Sequence, residues 1–174
     1  SIEEKALFRD HNPHGFILFQ RHCENADQVK RLVNDLRECV GREDAPVLID
    51  QEGGTVARLR QPHFTEFPSA FKYREMAKTD LGLAETAVYD NALEMAKQLN
   101  RLGINVNCTP VLDIPVEGSH EFLAAKRVYG DDPETVIALG RKVCEGHLEM
   151  GITPIFKHIP GHGRATVDSH LDLP

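Results

Sequence analysis

Apolar positions along the chain follow two alternating rhythms. Short unbroken runs at 16–19 (FILF), 45–50 (APVLID), 104–113 (INVNCTPVLD) and 153–158 (TPIFKH) read as buried strands. Between them, apolar residues recur every three or four positions. In NADQVKRLVNDLRECVG (25–41), Ala26, Val29, Leu32, Val33, Leu36 and Val40 mark one helical face. LGLAETAVYDNALEMAKQLNRLG (81–103) and DPETVIALGRKVCEGHLEMG (132–151) predict two further helices. Local signals agree: Ser1 and Glu4 have capping-box spacing, Gly41 stops the helix before it, and Asp132 with Pro133 opens the last one. Strand and helix alternate throughout, which predicts a parallel sheet covered by helices, with residues 1–174 in a single domain.

Two segments break both rhythms. Residues 61–78 (QPHFTEFPSAFKYREMAK) and 115–131 (PVEGSHEFLAAKRVYGD) follow strand ends, are polar and contain proline, and so are expected to be long βα loops. In α/β folds the chemistry gathers at the C-terminal ends of the strands. Asp50, Asp113, Lys157 and His158 all fall at such ends.

Composition removes several classes of partner. A formal charge of -7 leaves no basic stripe to follow a phosphate backbone, so nucleic acid is not expected. No apolar run approaches the roughly 18 residues of a membrane span and no signal peptide opens the chain, so no membrane partner is expected. Cys23, Cys39, Cys108 and Cys144 are widely spaced without a C-x-x-C, which reads as a reduced, cytoplasmic protein.

Candidate chemistry lies in three places. LIDQEGG puts Asp50 and Glu52 at a strand end before a Gly-Gly turn, where two carboxylates serve as catalysts, metal ligands or turn caps. Arg58 and Arg127 are either site anchors or surface charges. Lys157 carries an ammonium to the end of an apolar strand, which is costly unless a ligand or carboxylate receives it. In KHIPGHGRATVDSH (157–170), His158 and His162 stand four apart, the spacing of zinc ligands on a helix. Pro160, Gly161 and Gly163 argue against that helix. On an extended loop Asp168 and His170 point the same way, with Ser169 turned aside, and make an acid/base pair.

These motifs, in order, resemble those of the bacterial β-N-acetylglucosaminidases of glycoside hydrolase family 3, in the peptidoglycan-recycling branch. IDQEGGTVARL is similar to that branch's D-Q-E-G-G-x-V-x-R, KRVYGDDP to its R-x-[FY]-G-x-D-P, and KHIPGHGRATVDSH to its K-H-F-P-G-H-G followed by D-S-H. The resemblance implies a (β/α)8 TIM-type barrel, of which this chain covers roughly the first half to two thirds. It makes His170 the general acid/base and Asp168 its orienting partner, while Asp50, Arg58, Arg127, Lys157 and His158 hold the sugar. No metal and no cofactor are implied. His162 and Arg164 are read as shaping the loop, with Gly161 and Gly163 letting it move. The implied reaction is retaining hydrolysis of terminal β-linked N-acetylglucosamine from peptidoglycan fragments, with an aspartate nucleophile beyond Pro174 and the family's first strand before Ser1. Lys126 and Asp172 depart from the family's usual residues at their positions.

Two other readings stand beside this one. Asp50, His158, His162, Asp168 and His170 would be the ligands of a metal-dependent hydrolase. With the nucleophile outside, the chain would also serve as an inactive sugar-binding fragment. An incomplete barrel leaves edge strands unpaired, which predicts self-association or a complementing chain.

Overall fold

The computed structural model describes residues 1–121 and 126–173. Strands β1 (Phe16–Leu18), β2 (Val47–Ile49), β3 (Val106–Asn107) and β4 (Thr153–Pro154) form a parallel sheet in the order β1-β2-β3-β4. Phe16 lies level with Val47, Leu48 with Val106, and Val106 with Thr153. Helices α1 (Ile2–His11), α2 (Ala26–Val40), α3 (Ala70–Ala77), α4 (Leu81–Arg101) and α5 (Pro133–Glu149) stand between or before the strands. Spatial order equals chain order. Parallel crossovers that always advance the sheet by one strand are the connections of a barrel, not of a doubly wound sheet that reverses.

Helix starts and stops follow the local chemistry. Ser1 Oγ accepts from Glu4 N–H at 3.1 Å while the Glu4 carboxylate reaches the terminal ammonium at 2.7 Å. Asp132 accepts from Thr135 N–H at 2.8 Å, with Pro133 in the first turn of α5. Gly41 closes α2 in the left-handed region at φ 63°. Val29 and Val33 of α2 pack against Val47, Ile49, Leu59, Leu99, Ile104 and Ile152, with Ala26, Leu32 and Leu36 at the margin. Each fully buried side chain of this kind contributes about 1.5–3 kcal/mol. Gly146 lets α5 lie directly on α4, since a Cβ there would come within 2.9 Å of both Ala92 Cβ and the Tyr89 carbonyl.

The strands are shorter than their apolar runs. Pairing in the 104–113 run is confined to Val106–Asn107, because Thr109 N–H turns back to the Asn107 carbonyl at 2.9 Å and Pro110 has no N–H to give. Pairing resumes only as a bridge between Val111 and Lys157. The expected loop at 61–78 contains helix α3. Ala70 and Tyr73 are buried against Ala84 and Val88 of α4 and Leu139 and Val143 of α5. A two-turn helix that buries two residues is too short to stand out as a periodic pattern. Of the expected loop at 115–131, residues 122–125 lie outside the described residues; beside them, Arg74 of α3 grips the Asp131 carboxylate with two donors.

Candidate active site

Side chains alternate direction along an extended segment, so Asp50 and Glu52, on either side of Gln51 just past β2, face the same way. The backbone then folds back at once, with Glu52 and Gly53 N–H both directed at the Val56 carbonyl. Gly53 is required there. Its φ is +97° and a Cβ would stand 2.2 Å from the Pro68 carbonyl oxygen.

Around these two carboxylates the chain assembles three cations, Arg58 from the same loop and Arg127 and Lys157 from distant segments. Lys157 Nζ lies 2.9 Å from Asp50 Oδ1 and 2.6 Å from Glu52 Oε1, which supplies the receiving carboxylates its position demands. Arg58 Nη2 donates to Asp50 Oδ2 at 3.0 Å. Arg127 is 7% exposed and grips Glu52 with Nε at 2.9 Å and Nη2 at 2.6 Å, the two-pronged geometry that fixes orientation. It is therefore no surface charge. His158 donates from Nδ1 to Asp113 Oδ2 at 2.6 Å, which turns its Nε2 toward Arg127 Nη2 at 3.4 Å. The Lys157–His158 peptide is cis. Asp50, Arg58, Arg127, Lys157 and His158 thus belong to one continuous charged line, which Glu52 joins between Lys157 and Arg127 and which His158 extends to Asp113.

Burial opposes ionisation of Asp50, but Lys157 and Arg58 outweigh it and hold the carboxyl below its ordinary value. Asp113 behaves alike: burial pushes its pKa up, and hydrogen bonds from His158 and the His162 backbone bring it down further. Burial, with the Asp50 charge beside it, pushes the Cys108 thiol above its ordinary value. The carboxylates are engaged by protein cations. Among the described residues no cluster of three His, Cys, Asp or Glu has the geometry to hold a metal ion.

Asp168 and His170 come together, but by a different local route from the expected extended loop. The segment is a turn: Asp168 Oδ1 accepts from both His170 N–H at 3.0 Å and His170 Nδ1–H at 2.6 Å, and the Asp168 carbonyl accepts from Leu171 and Asp172 N–H. These two bonds from His170 lower the Asp168 pKa. The His170 side chain is 72% exposed, with Nε2 on the far edge of the ring from the aspartate. Ser169, turned from the pair, is exposed, and its Oγ lies 3.1 Å from His162 Nε2. His162 N–H in turn donates to Asp113 Oδ1 at 2.6 Å, so His162 joins the dyad's loop to the charged line. Gly163 does not serve as a hinge. A Cβ there would collide with the Ile114 carbonyl at 2.1 Å, and its own carbonyl accepts from Ser119 Oγ at 2.6 Å. Gly161, at φ +137° with nothing within 4 Å of a Cβ, keeps its freedom.

Glu52 and Asp113 complete the site beyond the residues expected there from sequence. The signal for Glu52 was present in its two-residue spacing from Asp50; that for Asp113 lay only in its strand-end position. Cavity size alone would mislead. A cleft of about 570 Å3 between α2, α4 and residues 63–67 contains none of these residues.

Residues 1–174 match the family described as the glycosyl hydrolase family 3 N terminal domain. A β-hexosaminidase from Methylococcus capsulatus is 37% identical over 161 residues, 92% of this chain and 46% of its own length. One from Shewanella frigidimarina is 35% identical over all of this chain and 49% of its own. Among solved structures, NagZ from Neisseria gonorrhoeae in complex with N-trifluoroacetyl-D-glucosamine superposes with a TM-score of 0.90 at 31% identity, covering 100% of this chain and 50% of that one. The chain spans about half the length of the curated relatives it matches. With the β1-β2-β3-β4 parallel order, these matches identify the fold as a TIM-barrel-like α/β architecture.

Proposed function

We propose, because the chain belongs to glycosyl hydrolase family 3, that it forms the sugar-binding and acid/base part of a retaining exo-β-N-acetylglucosaminidase. Asp50, Arg58, Arg127, Lys157 and His158 hold the terminal N-acetylglucosamine. Their mutual ion pairs fix donors and acceptors before substrate arrives, which is what positions an anomeric carbon for attack. His170 donates a proton to the leaving oxygen and later takes one from water, while Asp168 orients the ring and stabilises the imidazolium. The covalent step falls to an aspartate on a later strand. Peptidoglycan fragments are the proposed source of the sugar, and the four free cysteines support a reducing, cytoplasmic setting.

The observation that carries this reading is the Asp168–His170 pair on a turn tethered through His162 to the charged line. The test is His170→Ala in the full-length protein. Turnover of a disaccharide with a poor leaving group should fall about a hundred- to ten-thousand-fold, and turnover of an activated aryl glycoside far less. Equal losses on the two substrates would remove His170 from the acid/base role.

A further inference from the structure

The side of β2 and β3 that faces the helices carries a polar ladder behind the charged line described above. Asn107 ends β3, Gln51 follows β2 and His147 stands on α5, and their exposures are 0%, 0% and 1%. Asn107 Oδ1 accepts Gln51 N–H at 3.0 Å, and Asn107 Nδ2 donates to the Gln51 carbonyl at 2.9 Å and to His147 Nε2 at 2.9 Å. One primary amide therefore satisfies both backbone groups of Gln51, where strand pairing has stopped. His147 Nδ1 stands 2.8 Å from the Val143 carbonyl. A carbonyl can only accept, so Nδ1 carries the proton and Nε2 is left as the acceptor for Asn107. Burial lowers the His147 pKa against the opposing bond to Val143, which keeps the imidazole in that form.

The ladder continues through the Gln51 side chain. Its Oε1 accepts Arg58 N–H at 2.8 Å and Leu59 N–H at 3.1 Å, and its Nε2 donates to the Leu59 carbonyl at 3.3 Å. With Gln51 clamped on the helix side, alternation sends Asp50 and Glu52 to the other side, where Lys157, Arg58 and Arg127 meet them. We propose that His147 is a positioning residue for this cluster. By holding the Asn107 amide it locks the Gln51 peptide, and with it the aim of Asp50 and Glu52 and the start of the segment that bears Arg58. A fully satisfied buried network of this kind fixes one arrangement, whereas removing one acceptor leaves a buried N–H without a partner and frees the amide to rotate.

The kinetic part of the test rests on the glycosidase reading; a second readout does not. In the full-length protein, His147→Leu should lower kcat/KM on an aryl N-acetyl-β-glucosaminide by about tenfold or more, since small misplacements from a distant change are costly to a positioned site. It should also weaken inhibition by N-acetylglucosamine severalfold. His147→Gln, whose carbonyl oxygen can still accept from Asn107, should stay within about threefold of wild type. Val33→Ala, a core truncation in α2, supplies the purely structural baseline: a lower melting temperature with unchanged kinetics per folded molecule. If His147→Leu behaves like Val33→Ala, the positioning role is wrong. If His147→Leu does not fold, Asn107→Asp, which sets a carboxylate oxygen against the Gln51 carbonyl, is read in the same way. If the wild type does not hydrolyse the glycoside at all, the functional reading fails, and amide hydrogen exchange decides the positioning role. Protection at Gln51, Arg58 and Leu59 that is lost in His147→Leu but kept in the other two variants upholds it; protection kept in all three overturns it.

Discussion

Glu52→Gln perturbs the charged line at the point where most depends on it. The Glu52 carboxylate receives Arg127 twice and Lys157 once, and all three side chains are at least 87% buried. Lys157 keeps Asp50 at 2.9 Å after the substitution, so the loss falls mainly on Arg127, which gives up its two-pronged grip on the Glu52 carboxylate. Removing one member of a buried ion pair costs about 3–5 kcal/mol, because the other charge stays desolvated. The glutamine oxygen still accepts one hydrogen bond, which points to the lower end, about 3 kcal/mol. For a domain of this size that corresponds to a melting temperature lower by roughly 6–12 °C. Urea unfolding monitored by circular dichroism measures the free energy, and a thermal scan checks it. Adding Arg127→Met to Glu52→Gln should recover part of the loss, since the guanidinium that lost its carboxylate is gone. A loss below about 1 kcal/mol, the range of an exposed pair, would refute the argument that these charges are shielded from water. A double variant no more stable than Glu52→Gln would refute the assignment of the penalty to Arg127.

Asp50 and Asp113 have folded pKa values below their ordinary 3.8, so the stability they contribute is fully present above that value and drains away as pH falls through the folded ones. Asp113→Asn should therefore flatten the fall in urea midpoint between about pH 5 and about pH 3; an unchanged slope would contradict the shift. Gly53→Ala should destabilise by at least about 2 kcal/mol, through left-handed strain and collision with Pro68, whereas Gly41→Ala, with nothing within 4 Å, should cost only about 1 kcal/mol. Equal thermal shifts for the two would remove the close-approach argument. Residues 1–174 expressed alone should self-associate, since β1 and β4 each pair on one side only among the described residues and Ile17, Ile155 and Phe156 are exposed. A monodisperse monomer by light scattering would overturn this.

The alternation of strand and helix, the caps at Ser1, Gly41 and Asp132, and the three motifs were legible from sequence because each is written in residues a few positions apart. Helix α3 was not, because its burial of Ala70 and Tyr73 comes from α4 and α5 and leaves too short a trace in its own pattern. The Asp168–His170 contact was legible in spacing, while its turn geometry depended on the bonds that Asp168 makes to its own backbone neighbours. Which charges meet was decided by tertiary structure alone. Arg127 and Glu52 are 75 residues apart, and Lys157 and Asp50 are 107 apart. An isolated arginine carries the same local signal whether it lies in water or grips a carboxylate. The difference is set by parallel register, which levels the ends of β2, β3 and β4, and by buried partners such as Asn107 and Gln51 that fix the direction in which each side chain leaves the backbone.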